Sequence, residues 1–344
     1  MTTPYFNRNS RYLPVLLALY LFTFGWSMAQ DEKLMLHFEG ENGPGKGKKV
    51  VLISGDDEYR SEEGLPMLAK ILSTHHGFST TVLFPINPEN NQIVPNHKSN
   101  IPGMEELQDA DLAIILLRFR ELPDEQMKYF DDFLQAGKPL IALRTSTHAF
   151  NYGKDSKSPY AKYHWQSTVP GWEKGFGRKI LGETWVAHHG QHAKEGTRGM
   201  LDGLQVANKN PILNGVTDIW AASDVYTVTH LGDDATVLVH GASTSGMNPD
   251  APINWEKSLM PVAWTKSYNL DGGKKGRVFA STMGASVDLQ SEDLRRLIIN
   301  ATYWGLDMEP MIPEEAVVDI VGDYAPTMFG FDNFRQGMKV TDFE

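Results

Sequence analysis

Cysteine is absent from the 344-residue sequence. Disulfide bonds, thiolate metal sites and a cysteine nucleophile are therefore excluded. The absence fits export into an oxidising compartment, where a free thiol would be a liability. Long apolar segments are also lacking. The longest run, residues 13–24, has twelve residues, whereas a membrane-spanning helix needs about 20. We therefore expect a soluble protein that is stabilised by burial of apolar surface in a large core.

The first 29 residues have the pattern of a secretory signal peptide. Arg8 and Arg11 supply positive charge, the apolar run 13–24 follows, and Ser27 and Ala29 are the small residues of a cleavage site. An uncleaved N-terminal anchor is the alternative interpretation. We expect cleavage after Ala29, a periplasmic or secreted protein, and no stable membrane insertion after cleavage.

Basic residues are few relative to acidic ones. The chain has 32 lysines and arginines against 43 aspartates and glutamates. Residues 1–29 hold two of the arginines and no acid, so the remainder has 30 basic residues and a net charge near −13. An acidic protein without a basic stripe is repelled by nucleic acid and by anionic membranes. Nucleic acid and anionic membrane surfaces are therefore not expected as partners.

Three continuous apolar runs, at residues 50–53, 112–117 and 139–143, predict strands that are buried on both faces. Helical patterns separate them. The first helix has apolar residues at i, i+3, i+4 and i+7 from Leu65, and the second begins after Pro123. Strands and helices that alternate at this spacing form right-handed βαβ units. The predicted fold is a flavodoxin-like α/β domain with a mostly parallel sheet and helices on both faces.

The domain boundaries follow from changes in composition. Residues 30–47 are polar and rich in glycine, and we expect them to form a leader before the domain at 48–308. Within that domain, residues 151–200 lose all periodicity, and long ordered loops of this kind are often functional. We predict an ordered excursion over the sheet there, and a C-terminal arm at 309–344 that lies on the domain surface.

Further strands and a final helix complete the domain. Ser291 is the predicted N-cap of that helix and Gly305 its end. The predicted strands are residues 225–230, 235–240, 261–264 and 277–282.

Polar side chains follow the first three predicted strands. Ligands bind beyond the carboxyl ends of the strands of an open parallel sheet, so these side chains should converge on one rim. Acids, arginines and a histidine together can hold a polyhydroxylated or carboxylated ligand. The alternative is that the charged members form structural ion pairs between neighbouring loops. The candidate residues are Asp57, Glu58, Arg118, Arg120, Arg144 and His148.

A second candidate segment contains three histidines in five residues, His188, His189 and His192. Imidazole is both a metal ligand and an acid or base near neutral pH. His188 and His192 have the i, i+4 spacing of two ligands on one helical face, with Glu195 or Asp224 as a carboxylate partner. Metal binding, acid–base or hydrogen-bonding work, and a purely structural role all stay open.

Four further stretches resemble the trehalose-utilisation (ThuA-like) family, which belongs to the class I glutamine amidotransferase-like superfamily. They occur in the order that the family shows, and the resemblance covers about residues 48–307. The matching stretches are 137–150, which closes on an elbow at 144–150, then 210–215, 261–265 and 276–284.

The resemblance implies a role in carbohydrate metabolism and a site at the strand ends, with His148 in the elbow and Asp224 and Tyr226 facing it. The sequence also departs from the pattern. The superfamily's cysteine at the elbow is missing, so amidotransferase chemistry is excluded. Ala285 stands where the family usually has histidine, and the acidic residue that often follows Asp224 is absent.

The first hypothesis is an exported enzyme that acts on a sugar or glycoside. His148, His188 and His189 would act as general acid or base, with Asp224 as the orienting carboxylate. The substrate would be held by Arg144 and the other strand-end residues and would stack on Trp185 and Tyr226. A serine nucleophile at Ser146 is disfavoured, because a G-x-S-x-G turn is missing.

Two other hypotheses use the same residues. A non-catalytic carbohydrate-binding protein needs only the aromatic and polar contacts of the pocket. A metal-dependent enzyme would hold a divalent cation through His188 and His192. Apart from that cation, no cofactor is predicted.

Overall fold

The computed structural model describes residues 1–4 and 33–344. Most of the predicted signal peptide lies outside the described residues, so its cleavage stays a prediction. Residues 33–344 form one unit. Among the described residues, no helix combines the length and apolar character that crossing a membrane requires.

A ten-stranded sheet organises residues 33–344. The described chain has the strands β1 (Met35–Phe38), β2 (Lys49–Gly55), β3 (Ser79–Leu83), β4 (Ile86–Asn87), β5 (Gln92–Ile93), β6 (Leu112–Leu117), β7 (Leu140–Leu143), β8 (Thr197–Leu201), β9 (Ile219–Ala221), β10 (Thr236–Ser243), β11 (Met260–Asn269) and β12 (Lys275–Ser281). The sheet order is β1-β3-β2-β6-β7-β12-β11-β10-β8-β9, and β4 and β5 form a separate hairpin.

The central block β3-β2-β6-β7-β12 is parallel. Its middle strands are apolar throughout because helices cover both faces. Helices α1 (Ser61–His76) and α4 (Glu292–Gly305) pack on one face, and α2 (Asp124–Gln135) packs on the other. A short α3 (Gly203–Ala207) lies near the antiparallel half. The predicted parallel α/β fold with helices on both faces is therefore confirmed.

Most predicted strands are found, but the one at residues 225–230 is wrong. That segment pairs with the excursion instead of with the sheet, since the Val225 carbonyl oxygen accepts from the amides of His189 and Gly190. Tyr226 makes a single isolated bridge with His188. The apolar side chains that suggested a strand are buried by this loop-to-loop packing. The pairing brings the histidine segment to Asp224.

One other expectation needs correction, and the predicted ends of the last helix are confirmed. The leader at 30–47 contains β1, which extends the sheet antiparallel to β3. Ser291 occupies the N-cap position of α4, but its side chain makes no capping hydrogen bond. Its hydroxyl oxygen instead accepts from the amide of Trp220. Gly305 is the last helical residue, and Leu306 follows as the C-cap.

The C-terminal arm is fixed to the helical face at several points. The side chains of His76, Arg295 and Arg296 each bond to a carbonyl oxygen of residues 316–318, at 2.8–3.2 Å. Val318 and Val340 are almost fully buried in the main core. The arm is therefore an integral layer of the fold.

His76 makes the attachment of the arm sensitive to acid. Its ring lies between the Tyr303 hydroxyl, 2.9 Å from Nδ1, and the Val317 carbonyl, 2.8 Å from Nε2. Burial lowers the pKa of His76 to about 4. The unfolded chain binds this proton near pH 6.5 and the folded chain resists it, so stability falls as pH drops from 6.5 to 4. The loss is about 3 kcal/mol.

We expect His76→Phe to lower the free energy of unfolding at pH 7 and to flatten its decline between pH 6.5 and 4. Urea titrations at several pH values measure both effects. His75→Gln, one residue away and partly exposed, is the matched control and should keep the wild-type slope. Parallel slopes for His76→Phe and wild type would contradict this assignment.

Candidate functional site

The site is built on a strained elbow at the end of β7. The chain passes from Leu143 directly into a 3-10 helix, Arg144–His148. Arg144 has φ +44°, a left-handed conformation that costs about 1–3 kcal/mol for a residue with a side chain. Such an elbow projects its first side chains towards the carboxyl edge of the sheet. The contacts of Arg144 hold it in this conformation.

Arg144 and Asp224 form a fully buried ion pair. One guanidinium nitrogen lies 2.8 Å from Asp224 Oδ1, and the other donates to the carbonyl oxygens of Asp224 and Thr282 at 2.6 and 2.7 Å. The guanidinium carbon lies 3.8 Å from the ring centre of Tyr226 and 4.5 Å from that of Tyr59. Neither charged side chain is exposed. Arg144, which we expected to bind substrate directly, is instead the internal counter-ion of Asp224.

Two of the three predicted histidines meet this carboxylate. His188 Nδ1 lies 2.7 Å from Asp224 Oδ2, and His192 Nδ1 lies 3.4 Å from Asp224 Oδ1. His192 Nε2 reaches Glu58 Oε1 at 3.2 Å. Each histidine side chain is about one-third exposed. The sequence segment thus places two solvent-facing imidazoles over one buried carboxylate.

Gly190 allows this close approach. A Cβ atom at that position would lie 2.9 Å from the Cβ of Asp224 and 3.1 Å from the amide nitrogen of Val225. A side chain would therefore push the histidine segment away from Asp224. Gly190 disfavours a helix in this segment, and it is also the residue that lets the loop approach Asp224.

The charges shift the titration of the cluster. Burial alone would raise the pKa of Asp224, but the charge of Arg144 and the hydrogen bonds from His188 and His192 hold it well below its ordinary value. The hydrogen bond to Asp224 raises the pKa of His192. Burial lowers this pKa, but the negative charge of Glu58 also raises it, so the net change is upward. Burial and the charge of Asp56 raise the pKa of Glu58 itself.

His189 and Glu195 lie outside the cluster. His189 Nε2 is 2.8 Å from the carbonyl oxygen of Ser258. Glu195 pairs with Lys257 at 2.5 Å and accepts from the amide of Gln191. Of the two carboxylates considered as partners of His188 and His192, the structure brings Asp224 to them.

His148 occupies an aromatic cage beside the cluster. Its ring centre lies 5.0–6.4 Å from those of Phe119, Trp165, Trp185 and Tyr226. Burial, with the charges of Arg118 and Arg144, holds the pKa of His148 well below its ordinary value. A neutral, 4 % exposed imidazole is a weak base, and its contacts make it part of the wall of the site.

The charged residues that follow the strands form ion pairs with one another. This was the alternative interpretation of these residues. Asp57 lies 2.5 Å from Lys98 and 3.1 Å from Arg118. Burial would raise the pKa of Asp57, but Lys98 and Arg118 lower it. Arg120 is unexposed and donates to the carbonyl oxygens of residues 95, 97 and 118. These hydrogen bonds hold the loops at residues 95–97 and 118 together. The expectation that Arg120 contacts substrate is therefore not supported.

The C-terminal arm contributes residues that the sequence interpretation missed. Phe329 packs 5.0 Å from the ring of Tyr59 and 5.8 Å from that of His192. Ala285, the departure from the family pattern, lies in the same small apolar cluster. The guanidinium of Arg118 lies 4.8 Å from the ring centre of Phe331. The arm had been expected to lie on the domain surface, and no motif in its sequence marks it as part of a site.

Two buried acids were also missed. Asp288 accepts from the amides of Ser223, Gly284 and Ala285 and so joins the loop that carries Asp224 to the loop after β12. Glu183 is completely buried and bonds to Arg178 and to the amides of residues 184, 229 and 230. Isolated acids in loops carry no pattern that separates them from surface charges.

We expect Asp224→Asn to lower the pKa of His192 and to destabilise the fold. The hydrogen bond to the carboxylate is the main cause of the raised pKa, and Arg144 would lose its buried partner, which costs about 3–5 kcal/mol. Nuclear magnetic resonance titration of the imidazole protons and urea unfolding measure the two effects. Glu195→Gln, an acid outside the cluster, should change neither. An unshifted His192 in Asp224→Asn would refute the proposed electrostatics.

One family model and several solved structures are similar to this chain. The model of the ThuA family, described as trehalose utilisation, matches residues 49–305. A ThuA-like protein from Parabacteroides merdae is 14 % identical, with a TM-score of 0.48 over 83 % of this chain and 98 % of that one. For a ThuA-like protein from Bacteroides uniformis the values are 12 %, 0.44, 78 % and 94 %. No curated protein matches the chain. Because the family model covers most of its length, the chain belongs to the ThuA family.

Proposed function

We propose that this protein is an enzyme that acts on a sugar or a glycoside by acid–base chemistry at His188. One observation carries the proposal: a partly exposed imidazole lies 2.7 Å from a fully buried carboxylate. Carboxylates placed in this way orient a catalytic histidine and stabilise its protonated form. The family description, trehalose utilisation, supports a carbohydrate as the substrate.

The geometry defines what each group would do. Asp224 accepts the Nδ1 proton of His188, which leaves Nε2 as the nitrogen that takes a proton from a substrate hydroxyl. Arg144 keeps Asp224 ionised without itself reaching the substrate. His192 and Glu58, 3.2 Å apart, form a second pair that can bond to neighbouring hydroxyls.

Aromatic side chains supply the apolar part of sugar recognition. Trp185 is partly buried, and its ring centre lies 5.6 Å from that of His188. Tyr226 is 2 % exposed and supports Arg144 rather than offering a free face. Trp185 is therefore the stacking residue of the proposal. Four residues were suggested as catalytic by the sequence. In this proposal His188 and Asp224 keep that role, His148 forms part of the wall of the site, and His189 lies outside it.

We expect His188→Ala to reduce turnover by about 10²- to 10⁴-fold, the usual contribution of a general acid or base. His189→Ala, the neighbouring histidine outside the cluster, should stay within a few-fold of wild type. Chromatographic analysis of products from a panel of glycosides and their oxidised derivatives measures both. Unchanged turnover in His188→Ala would refute the proposal. Sugar binding without any product would favour a binding protein instead.

A metal-dependent enzyme is the second candidate, and a separate observation favours it. One ligand atom from each of His188, His192 and Asp224 lies within 4.8 Å of the others. Two imidazoles and one carboxylate form a donor set that suits zinc or ferrous iron and leaves positions open for substrate or water.

If the second candidate is correct, the wild type should bind about one zinc or cobalt ion per chain, measured by equilibrium dialysis and elemental analysis. His188→Ala and His192→Ala should each weaken binding by about tenfold or more, since each removes a ligand. His189→Ala should bind as the wild type does. Absence of stoichiometric metal, together with activity that resists chelators, would remove this candidate.

A further inference from the structure

The C-terminal arm, residues 309–344, lies outside the part of the chain that the family model matches. That match ends at residue 305, yet the arm reaches the histidine cluster, where the ring centre of Phe329 lies 5.8 Å from that of His192. Phe329 also packs 5.0 Å from the ring of Tyr59. A segment of this chain beyond the family match therefore borders the candidate site.

Hydrogen bonds hold this part of the arm in place. The buried carboxylate of Glu63 accepts from the amide and the hydroxyl of Thr327, at 2.7 and 2.8 Å. The amide of Gly330 donates to the carbonyl oxygen of Glu58 at 2.9 Å, and the carbonyl oxygen of Gly330 accepts from Arg60 at 2.8 Å. These contacts join the arm to the start of α1 and to the loop after β2. The aromatic side chains of the arm are therefore preorganised beside the site, which lowers the entropic cost of binding a ligand.

Phe331 adds an exposed aromatic ring to this border. It is 51 % exposed, and the guanidinium of Arg118 lies 4.8 Å from its ring centre. The same guanidinium lies 4.5 Å from the ring centre of Phe119, so Arg118 contacts two rings. Phe119 in turn borders His148, with the ring centres 5.0 Å apart. Phe331 therefore extends the aromatic wall of the site outwards, towards solvent.

Arg118 and Glu58 also connect Phe331 to the exposed histidines. Arg118 Nε lies 3.4 Å from Glu58 Oε2, and Glu58 Oε1 lies 3.2 Å from His192 Nε2. The ring centres of His192 and His188 are 4.7 Å apart. Two side chains thus separate Phe331 from the histidines. A glycoside that places its sugar at the histidines can extend its non-sugar part, the aglycone, to Phe331.

The charged groups beside Phe331 already have partners. Arg118 and Lys98 both pair with Asp57, at 3.1 and 2.5 Å. A charged group on the ligand would compete with these pairs, whereas a flat apolar group would cover the exposed ring without breaking them. The surroundings of Phe331 therefore favour a neutral, apolar aglycone.

We propose that Phe331 of the arm determines specificity, and that the substrate is a glycoside with an aromatic or otherwise apolar aglycone. The sugar lies over His188 and Asp224, and the aglycone packs on Phe331. Phe329 holds the arm beside His192. The inference rests on the proposed function of the histidine cluster and names the substrate class of that site.

The test compares glycosides that differ only in the aglycone. Calorimetry follows the titration of the purified protein with methyl and phenyl glucosides and galactosides, each in both anomeric forms. Phe331→Ala removes the proposed contact at a half-exposed position, and Phe331→Trp keeps a flat ring there. Met311→Ala is the control, since Met311 is 54 % exposed on the same arm, in the 3-10 helix Glu309–Met311.

We expect the wild type to bind at least one phenyl glycoside about tenfold more tightly than the matching methyl glycoside, as one aromatic contact and its buried area provide. Phe331→Ala should reduce this ratio to within about twofold, while the affinity for the methyl glycoside stays within about twofold of wild type. Phe331→Trp and Met311→Ala should keep the wild-type ratio.

Two results would overturn the inference alone. They are equal affinity of the wild type for methyl and phenyl glycosides, and a preference for the phenyl glycoside that persists in Phe331→Ala. His188→Ala would then still test the proposed function separately. If none of these glycosides binds to the wild type, the proposed function fails and the inference fails with it.

Discussion

The buried ion pair between Arg144 and Asp224 is the contact on which the rest of the site depends. Two opposite charges without solvent exposure are stable only when further hydrogen bonds satisfy them. Here the carbonyl oxygens of Asp224 and Thr282 and the hydroxyl of Tyr59 accept further hydrogen bonds from the guanidinium group. The same contacts hold Arg144 in its left-handed conformation and bind the elbow after β7 to the loop that carries Asp224.

This pair also determines the charge of the carboxylate under the two histidines. The strained elbow position holds a cation that is sealed from solvent rather than a nucleophile. Its charge keeps Asp224 ionised, and Asp224 is hydrogen-bonded to His188 and His192, which face solvent. The two histidines therefore lie one layer above the elbow, on the excursion. The chain has no cysteine at the elbow, and its candidate site at the edge of the sheet is formed by histidines and a carboxylate instead.

The sequence predicted the parts of the fold that depend on local periodicity. Continuous apolar runs located β2, β6 and β7, because strands between two helical layers exclude polar residues. The segment 225–230 has the alternation that is typical of a strand, but its apolar side chains are buried by loop packing, which periodicity cannot distinguish from a strand. β1 was missed because a short edge strand carries little apolar signal.

The sequence predicted where the candidate site lies better than it predicted what each residue of the site does. Strand-end position identified His148, histidine density identified His188, and the family resemblance identified Asp224, and the structure brings His188 onto Asp224 beside the aromatic cage of His148. Which imidazole stays exposed depends on the aromatic cage around His148 and on the contact of His189 with Ser258. Phe329 reaches His192 from more than 130 residues along the chain. No local pattern encodes such contacts.

The central claim is that a sugar binds over the pair of His188 and Asp224. A crystal structure of the protein soaked with the sugar that binds most tightly tests it most directly. We predict a ring hydroxyl about 2.6–3.2 Å from His188 Nε2, with a sugar face against Trp185. A sugar bound at another surface, with His188 and Asp224 free of it, would contradict the account.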